Sequence, residues 1–187
     1  MTALVARTGR HQQRYAEGYR LVAGCIPYRL KEGVFDFNNI EQNMEVLMVT
    51  SQRGGVFLFP KGGWETDETV EEAACREALE EAGVRGQMKA YLGSWDFKSK
   101  RQQGYSCPEG LCRGYMYALT VTEELASWPE QHHRQRQWFS VADALKHCGH
   151  DWMREALDKF VKDFSSTSST ASNVSSVEES THPSHGD

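Results

Sequence analysis

Residues 62–84, GGWETDETVEEAACREALEEAGV, carry eight carboxylates and a single guanidinium, Arg76. Like charges four apart on a helix are destabilising, so this stretch calls for a counter-charge that its neighbours in sequence do not supply. At about 100° per residue, Glu77, Glu80 and Glu81 fall on one face of a helix. Cys75, Ala78, Leu79 and Ala82, at i, i+3, i+4 and i+7, form an apolar stripe expected to face the core. Ala73 and Ala74 flank the glutamates with small side chains and leave room for an approaching group. Three carboxylates on one face form a hard oxygen cluster of the kind magnesium or manganese prefers. An ordinary surface helix rich in Glu and Ala accounts equally well for that geometry taken alone.

The wider spacing separates the two readings. Gly62, Glu68, Arg76, Glu77, Ala78, Glu80, Glu81, Gly83 and Val84 satisfy G-x5-E-x7-R-E-U-x-E-E-x-G-U (U apolar) at every position. Seven of these positions are fixed, which puts chance agreement on the order of 10⁻⁸ per starting point. The pattern is that of the Nudix box, and the chain resembles the Nudix hydrolases. The resemblance implies an α/β fold, the Nudix α/β/α sandwich with a mixed β-sheet and a catalytic loop–helix–loop. It also implies hydrolysis of a diphosphate linkage with Mg2+ or Mn2+ as cofactor. By position, Glu77 and Glu81, joined by Glu80, are the implied metal ligands. Glu80 is the implied catalytic carboxylate that activates, or helps bind, the attacking water. Arg76 and Glu68 are the implied ion pair bracing the loop, and Gly62, Gly63 and Gly83 the implied structural glycines.

The elements that must position these groups are partly legible. Thr69 with Glu72 three residues on is a capping-box signature, and Gly83 suits a helix C-terminus, so a helix is predicted from about Val70 to Ala82. Strand-like apolar runs occur at 19–30, 45–51 and 56–59, with Pro27 suggesting an edge or a bulge in the first. Further strands are expected within VRGQMKAYLGSWDFKS and RGYMYALTVTEE, separated by a polar loop near 100–112. A strand edge turning into a helix follows in RQWFSVADALKHC, and a final amphipathic helix at about 151–164. Residues 31–43 read as a connecting loop. The domain division is an N-terminal extension 1–17, a catalytic domain 18–164 and a disordered Ser/Thr-rich tail 165–187.

GYRLVAGCIPYR, EVLMVTSQR, FPKGGWE, GYMYALTVTEELASWPE and RQRQWFSVADAL resemble the diphosphoinositol polyphosphate phosphohydrolase branch of the family, most of all its plant members. That resemblance implies a phosphate-rich small-molecule partner, either a diphosphoinositol polyphosphate or a dinucleoside polyphosphate such as diadenosine hexaphosphate. Arg20, Arg53, Lys61, Arg113, Arg134 and Arg136 lie at strand ends or loops and are the candidate substrate-binding residues, since guanidinium forks and ammonium groups bind dense phosphate. Leu21 and Val22 replace basic residues of animal members, and Lys61 replaces a glycine, which leaves the choice between inositol and dinucleotide open. Trp64, Trp95, Tyr115 and Trp138 are candidates for stacking on a base, although aromatics at strand spacing are more often core. The alternatives are hydrolysis of ADP-ribose, a nucleotide sugar or an RNA cap, and a non-catalytic Nudix-like binding module.

The whole chain of 187 residues, 39% hydrophobic and 25% charged, suits one soluble domain. Its net charge of −5 is concentrated in the acidic stretch and the tail, leaving a basic body around an acidic island, as suits a polyanion held beside a divalent metal. No apolar run approaches the roughly 20 residues of a membrane span, and the N-terminus lacks a secretory apolar region. Neither a membrane nor a nucleic-acid partner is expected, and no oligomeric state is readable. Five cysteines without a CxxC pair read as reduced intracellular thiols, in preference to a zinc site at Cys107 and Cys112 with His132 and His133. A cytoplasmic location, extending to the nucleus, is expected. The four arginines and single acid of the first twenty residues make mitochondrial import the alternative.

Overall fold

The computed structural model describes residues 4–32, 39–99 and 109–174. In chain order the elements are β1 (Tyr15–Ala16), β2 (Tyr19–Leu30), α1 (Ile40–Asn43), β3 (Met44–Thr50), β4 (Phe57–Leu58), β5 (Lys61–Gly63) and α2 (Val70–Ala82). They continue as β6 (Val84–Lys98), β7 (Leu111–Glu124), β8 (Arg136–Ser140), α3 (Val141–His147) and α4 (Asp151–Val174). The main sheet runs β4-β3-β2-β7-β6, with β1 and β5 also on β2 and β8 on β3. Among the described strand pairs only β2 and β7 run parallel, so the sheet is mixed.

β2 organises the molecule. Leu21 to Tyr28 are buried without interruption, a pattern that requires cover on both faces of the sheet. α2 packs on β2 and β5, and the ring of Tyr28 meets Phe160 and Phe164 of α4 at 4.9 and 5.8 Å. The sandwich expected from the resemblance is therefore the observed fold. Pro27 is not on an edge strand, because it is matched with Leu119 of β7. On its other side β2 changes partner, from β5 at Val22–Gly24 to β3 at Tyr28–Leu30. Pro27 falls in that gap, where no ladder bond asks for its missing N–H.

Three other expectations are amended. Residues 40–43 form a helical turn within what reads as a loop. α4 extends to Val174, ten residues past the expected helix end at about 164 and into the expected disordered tail. The rest of that tail, much of the polar loop near 100–112 and Cys107 lie outside the described residues. The apolar stripe of α2 is also rotated from the expected one. Ala73, Ala74, Ala78 and Ala82 are fully buried, whereas Cys75 and Leu79 are half-buried. Small side chains let the helix backbone approach β2 closely, and that approach carries the glutamates inward with it.

Candidate active site

The loop before α2 enters through β5, where Gly62 and Gly63 pair with Ala23 and Val22 of the central strand. A Cβ at Gly62 would overlap the Glu77 carboxylate, and one at Gly63 would overlap the Gln13 amide. Both glycines are required by close approach rather than by an unusual φ. The helix then starts with the full capping box, Thr69 Oγ1 accepting from Glu72 N at 3.1 Å and Glu72 Oε2 from Thr69 N at 2.8 Å. It ends at Gly83, whose φ of 64° is left-handed.

Arg76 ties the loop to the helix. Its Nε and Nη2 donate to the two oxygens of Glu68 at 2.9 and 2.7 Å, and Nη2 also reaches the carbonyl of Gly63 at 2.8 Å. Its Nη1 donates to Glu77 at 2.7 Å and, more weakly, to Glu80 at 3.4 Å. Glu81 accepts from the backbone N–H of Lys61 at 3.0 Å and pairs with Arg134. Arg134 also donates to the Thr50 carbonyl at 3.0 Å and pairs with Glu130.

Glu77, Glu80 and Glu81 are all buried, at 8%, 6% and 5% exposure. Burial holds each of the three carboxyls above the ordinary carboxylate range, and the charge of Glu81 adds to the rise at Glu77. Arg76, Arg134 and Lys61 pull the other way without cancelling the shift. Among the described residues, no three side chains of His, Cys, Asp or Glu already converge as a metal cage; guanidinium groups hold the oxygens instead. The donor set nonetheless fits a hard divalent cation: buried oxygens with surplus negative charge, beside a backbone kept free of side chains at Gly62.

These groups open into a cleft of about 570 Å³. Of the candidate substrate-binding residues, Arg20, Arg53, Lys61 and Arg134 line it, together with Glu77, Glu80 and Glu81. Burial lowers the pKa of Arg20 and of Lys61, and the Nε of Arg20 is buried without a hydrogen-bond partner. Arg113 and Arg136 are not brought into the cleft. Arg113 pairs with Asp96 at 2.7 Å and lies over the ring of Tyr19. Arg136 donates to the carbonyls of Ala82, Gly83 and Leu125 and stacks on Trp128 at 4.0 Å, so it fastens the C-terminal end of α2. Trp64, Trp95, Tyr115 and Trp138 do not line the cleft either; Phe97 does.

Some lining residues carry no sequence signal. Arg7, Arg10, Gln13 and His150 come from distant segments, and only the three-dimensional fold assembles them. Glu130 is different. It is one of four glutamates, with Glu109, Glu123 and Glu124, that spacing does not separate. The structure puts Glu130 in the cleft, with its N–H on the Glu80 carbonyl at 3.0 Å and its charge acting on Glu80 and Glu81.

Comparison with known proteins agrees with this geometry. Residues 27–160 match the NUDIX domain. The chain is 56% identical over 158 residues to "Nudix hydrolase 16, mitochondrial" of Arabidopsis thaliana, covering 84% of this chain and 88% of that protein. It is 37% identical over 133 residues to a human diphosphoinositol polyphosphate phosphohydrolase, covering 70% of this chain and 63% of the other. Among solved structures, a Caenorhabditis elegans Ap4A hydrolase in binary complex superposes with a TM-score of 0.58 at 19% identity, over 78% of this chain and 98% of that one. At that identity the superposition speaks for the fold alone. Members of the family generally use divalent metal ions to act on phosphorylated small molecules. With the box intact on a buried, capped helix and half its residues shared with named hydrolases, the chain belongs to the Nudix hydrolase family, enzymes that cleave pyrophosphate bonds.

Proposed function

We propose that this enzyme hydrolyses a phosphoanhydride bond in a densely phosphorylated small molecule, a diphosphoinositol polyphosphate or a dinucleoside polyphosphate such as diadenosine hexaphosphate. The observation that carries the reading is the composition of the cleft wall: Arg20, Arg53, Lys61 and Arg134 face the same space as the acidic helix, and the four candidate stacking aromatics do not. A polyanion fits such a wall better than a base or sugar does. The name of the human relative points to a substrate of the same kind.

In this reading Glu77 and Glu81 hold Mg2+ or Mn2+, with Glu80 and Glu130 close enough in charge to contribute. The ion, when bound, polarises the phosphoryl oxygens and acidifies water. Glu80 accepts the proton of the attacking water at its carboxylate, a role served by its raised pKa. Arg76 keeps Glu68, Glu77 and the Gly63 carbonyl in register. Arg20, Lys61 and Arg134 orient the phosphates, and the buried, unpartnered Nε of Arg20 is a donor available to them.

Incubation of the purified enzyme with magnesium and, in parallel, a diphosphoinositol polyphosphate, diadenosine hexaphosphate and ADP-ribose tests this. Loss of the β-phosphate from the inositol substrate, or cleavage of the dinucleotide, supports the proposal; turnover of ADP-ribose alone refutes it. For compartment, the mitochondrial names of the plant relatives favour the import alternative over the cytoplasmic expectation. A C-terminal fluorescent fusion found in mitochondria supports import, and diffuse fluorescence opposes it.

A further inference from the structure

Residues 7–14 precede the matched NUDIX segment and read from sequence as part of an extension outside the domain, yet the fold sends them to the catalytic loop. The turn at Glu17 and Gly18, both at positive φ (51° and 82°), folds β1 back on β2, as a two-residue hairpin requires. The chain before β1 therefore runs across residues 64–68. Arg14 N donates to the Trp64 carbonyl at 2.9 Å, and Thr66 N donates to the Gln12 carbonyl at 2.8 Å. The Arg14 guanidinium reaches the carbonyls of Glu65 and Thr66, both at 2.9 Å, and lies over the Trp64 ring. The Gln13 amide bridges the carbonyls of Arg14 and Leu21 at 2.8 Å each.

The last contact in this series reaches the chemistry. Arg7 N–H donates to Glu80 Oε1 at 3.1 Å, a shorter bond than the 3.4 Å contact from Arg76 to the other oxygen. The Arg7 guanidinium pairs with Glu65 and, at 2.9 Å, with Asp67. A main-chain donor has fewer freedoms than a long side chain, so it fixes the carboxylate direction at low entropic cost. The guanidinium anchors that donor to the acidic loop.

We propose that residues 7–14 are a built-in strap of the catalytic site, and that Arg7 is a positioning residue whose backbone N–H aims Glu80 while its side chain holds the loop. The inference rests on the role assigned above to Glu80. It makes the N-terminal segment a working wall of the cleft, not an appendage.

The test compares full-length wild type, Arg7→Ala and Arg7→Pro. Alanine keeps the N–H and removes the guanidinium; proline removes both. Arg85→Ala, an exposed pair with Glu123 outside the cleft, is the control. Two readouts are taken: hydrogen exchange of the 64–68 amides, and steady-state hydrolysis of diadenosine hexaphosphate with magnesium. Exchange at 64–68 is expected to speed up in both Arg7 variants while α2 stays protected. Loss of one hydrogen bond to a charged group predicts a kcat at least about tenfold lower in Arg7→Pro, with KM within about twofold. Arg7→Ala should lie between wild type and Arg7→Pro. Unchanged exchange with unchanged kcat in Arg7→Pro overturns the strap. A raised KM with kcat intact also overturns the positioning role, making the segment a binding wall instead. If wild type does not cut the probe, the dinucleotide branch of the substrate reading fails and the exchange measurement decides the strap by itself.

Discussion

The Glu77 carboxyl is buried, the neighbouring charge of Glu81 raises the cost of ionising it further, and Arg76 offsets only part of that. A carboxyl whose folded pKa lies above its unfolded value binds more protons in the folded state. The stability it favours is therefore present at acidic pH and lost as pH rises through the raised value. Metal-free protein should accordingly melt at a lower temperature in mildly alkaline than in mildly acidic buffer, and magnesium should narrow the gap; a calorimetric pH series checks this. Glu77→Gln should raise the metal-free melting temperature while abolishing hydrolysis, and retained affinity for a polyphosphate would show that the cleft survives. Glu80→Gln should lower kcat by about 10²–10⁴-fold, the span expected for a general base. These residues were legible because the Nudix spacing is local. Arg7 and Gln13 were not, since long-range contact decides their place.

Elements were legible where their signals were local and misread where packing decided. The capping box and Gly83 mark both ends of α2, and the structure has both. Which face of α2 turns inward was misread, because apolar periodicity placed Cys75 and Leu79 in the core while close packing against β2 selected the alanines. Pro27 suggests an edge or a bulge, whereas it marks a change of strand partner, which has no signal of its own in sequence. Arg136 shows the same limit for function: its type suits phosphate, but its position makes it the clasp on the end of α2. Arg136→Ala should thus cost about 1–3 kcal/mol in denaturant unfolding, the scale of leaving buried carbonyls unsatisfied, with KM nearly unchanged. A large rise in KM without loss of stability would return it to the substrate site. Thr69→Ala should cost about 1 kcal/mol by loss of the cap, measured in the same way.

For the whole molecule, sign and place of charge matter more than the total. The chain is net negative, yet the cleft gathers Arg20, Arg53, Lys61 and Arg134 beside the acidic helix. Electrostatic capture weakens as the Debye length falls from about 10 Å at 0.1 M salt to about 3 Å at 1 M. KM for a polyphosphate should therefore climb with salt while kcat holds, and KM for ADP-ribose should climb less; initial-rate series at several ionic strengths check both. The sequence shows that basic residues exist but not which ones converge, because β2, the β3–β4 turn, β5 and the segment leading into β8 bring them together from distant positions.

The pairing of Arg134 with Glu81, and of Arg76 with Glu77, has a thermodynamic consequence. On the proposed metal role, a cation that takes Glu77 Oε1 or Glu81 Oε1 must displace a guanidinium, so its uptake there is an ion exchange and not a simple addition. Each guanidinium released lines the cleft, where a phosphate of the proposed substrate would satisfy it. Metal and substrate then become mutual effectors: each lowers the cost of binding the other by the same free energy. In equilibrium titrations, a non-hydrolysable polyphosphate should tighten magnesium binding by the same factor by which magnesium tightens the polyphosphate.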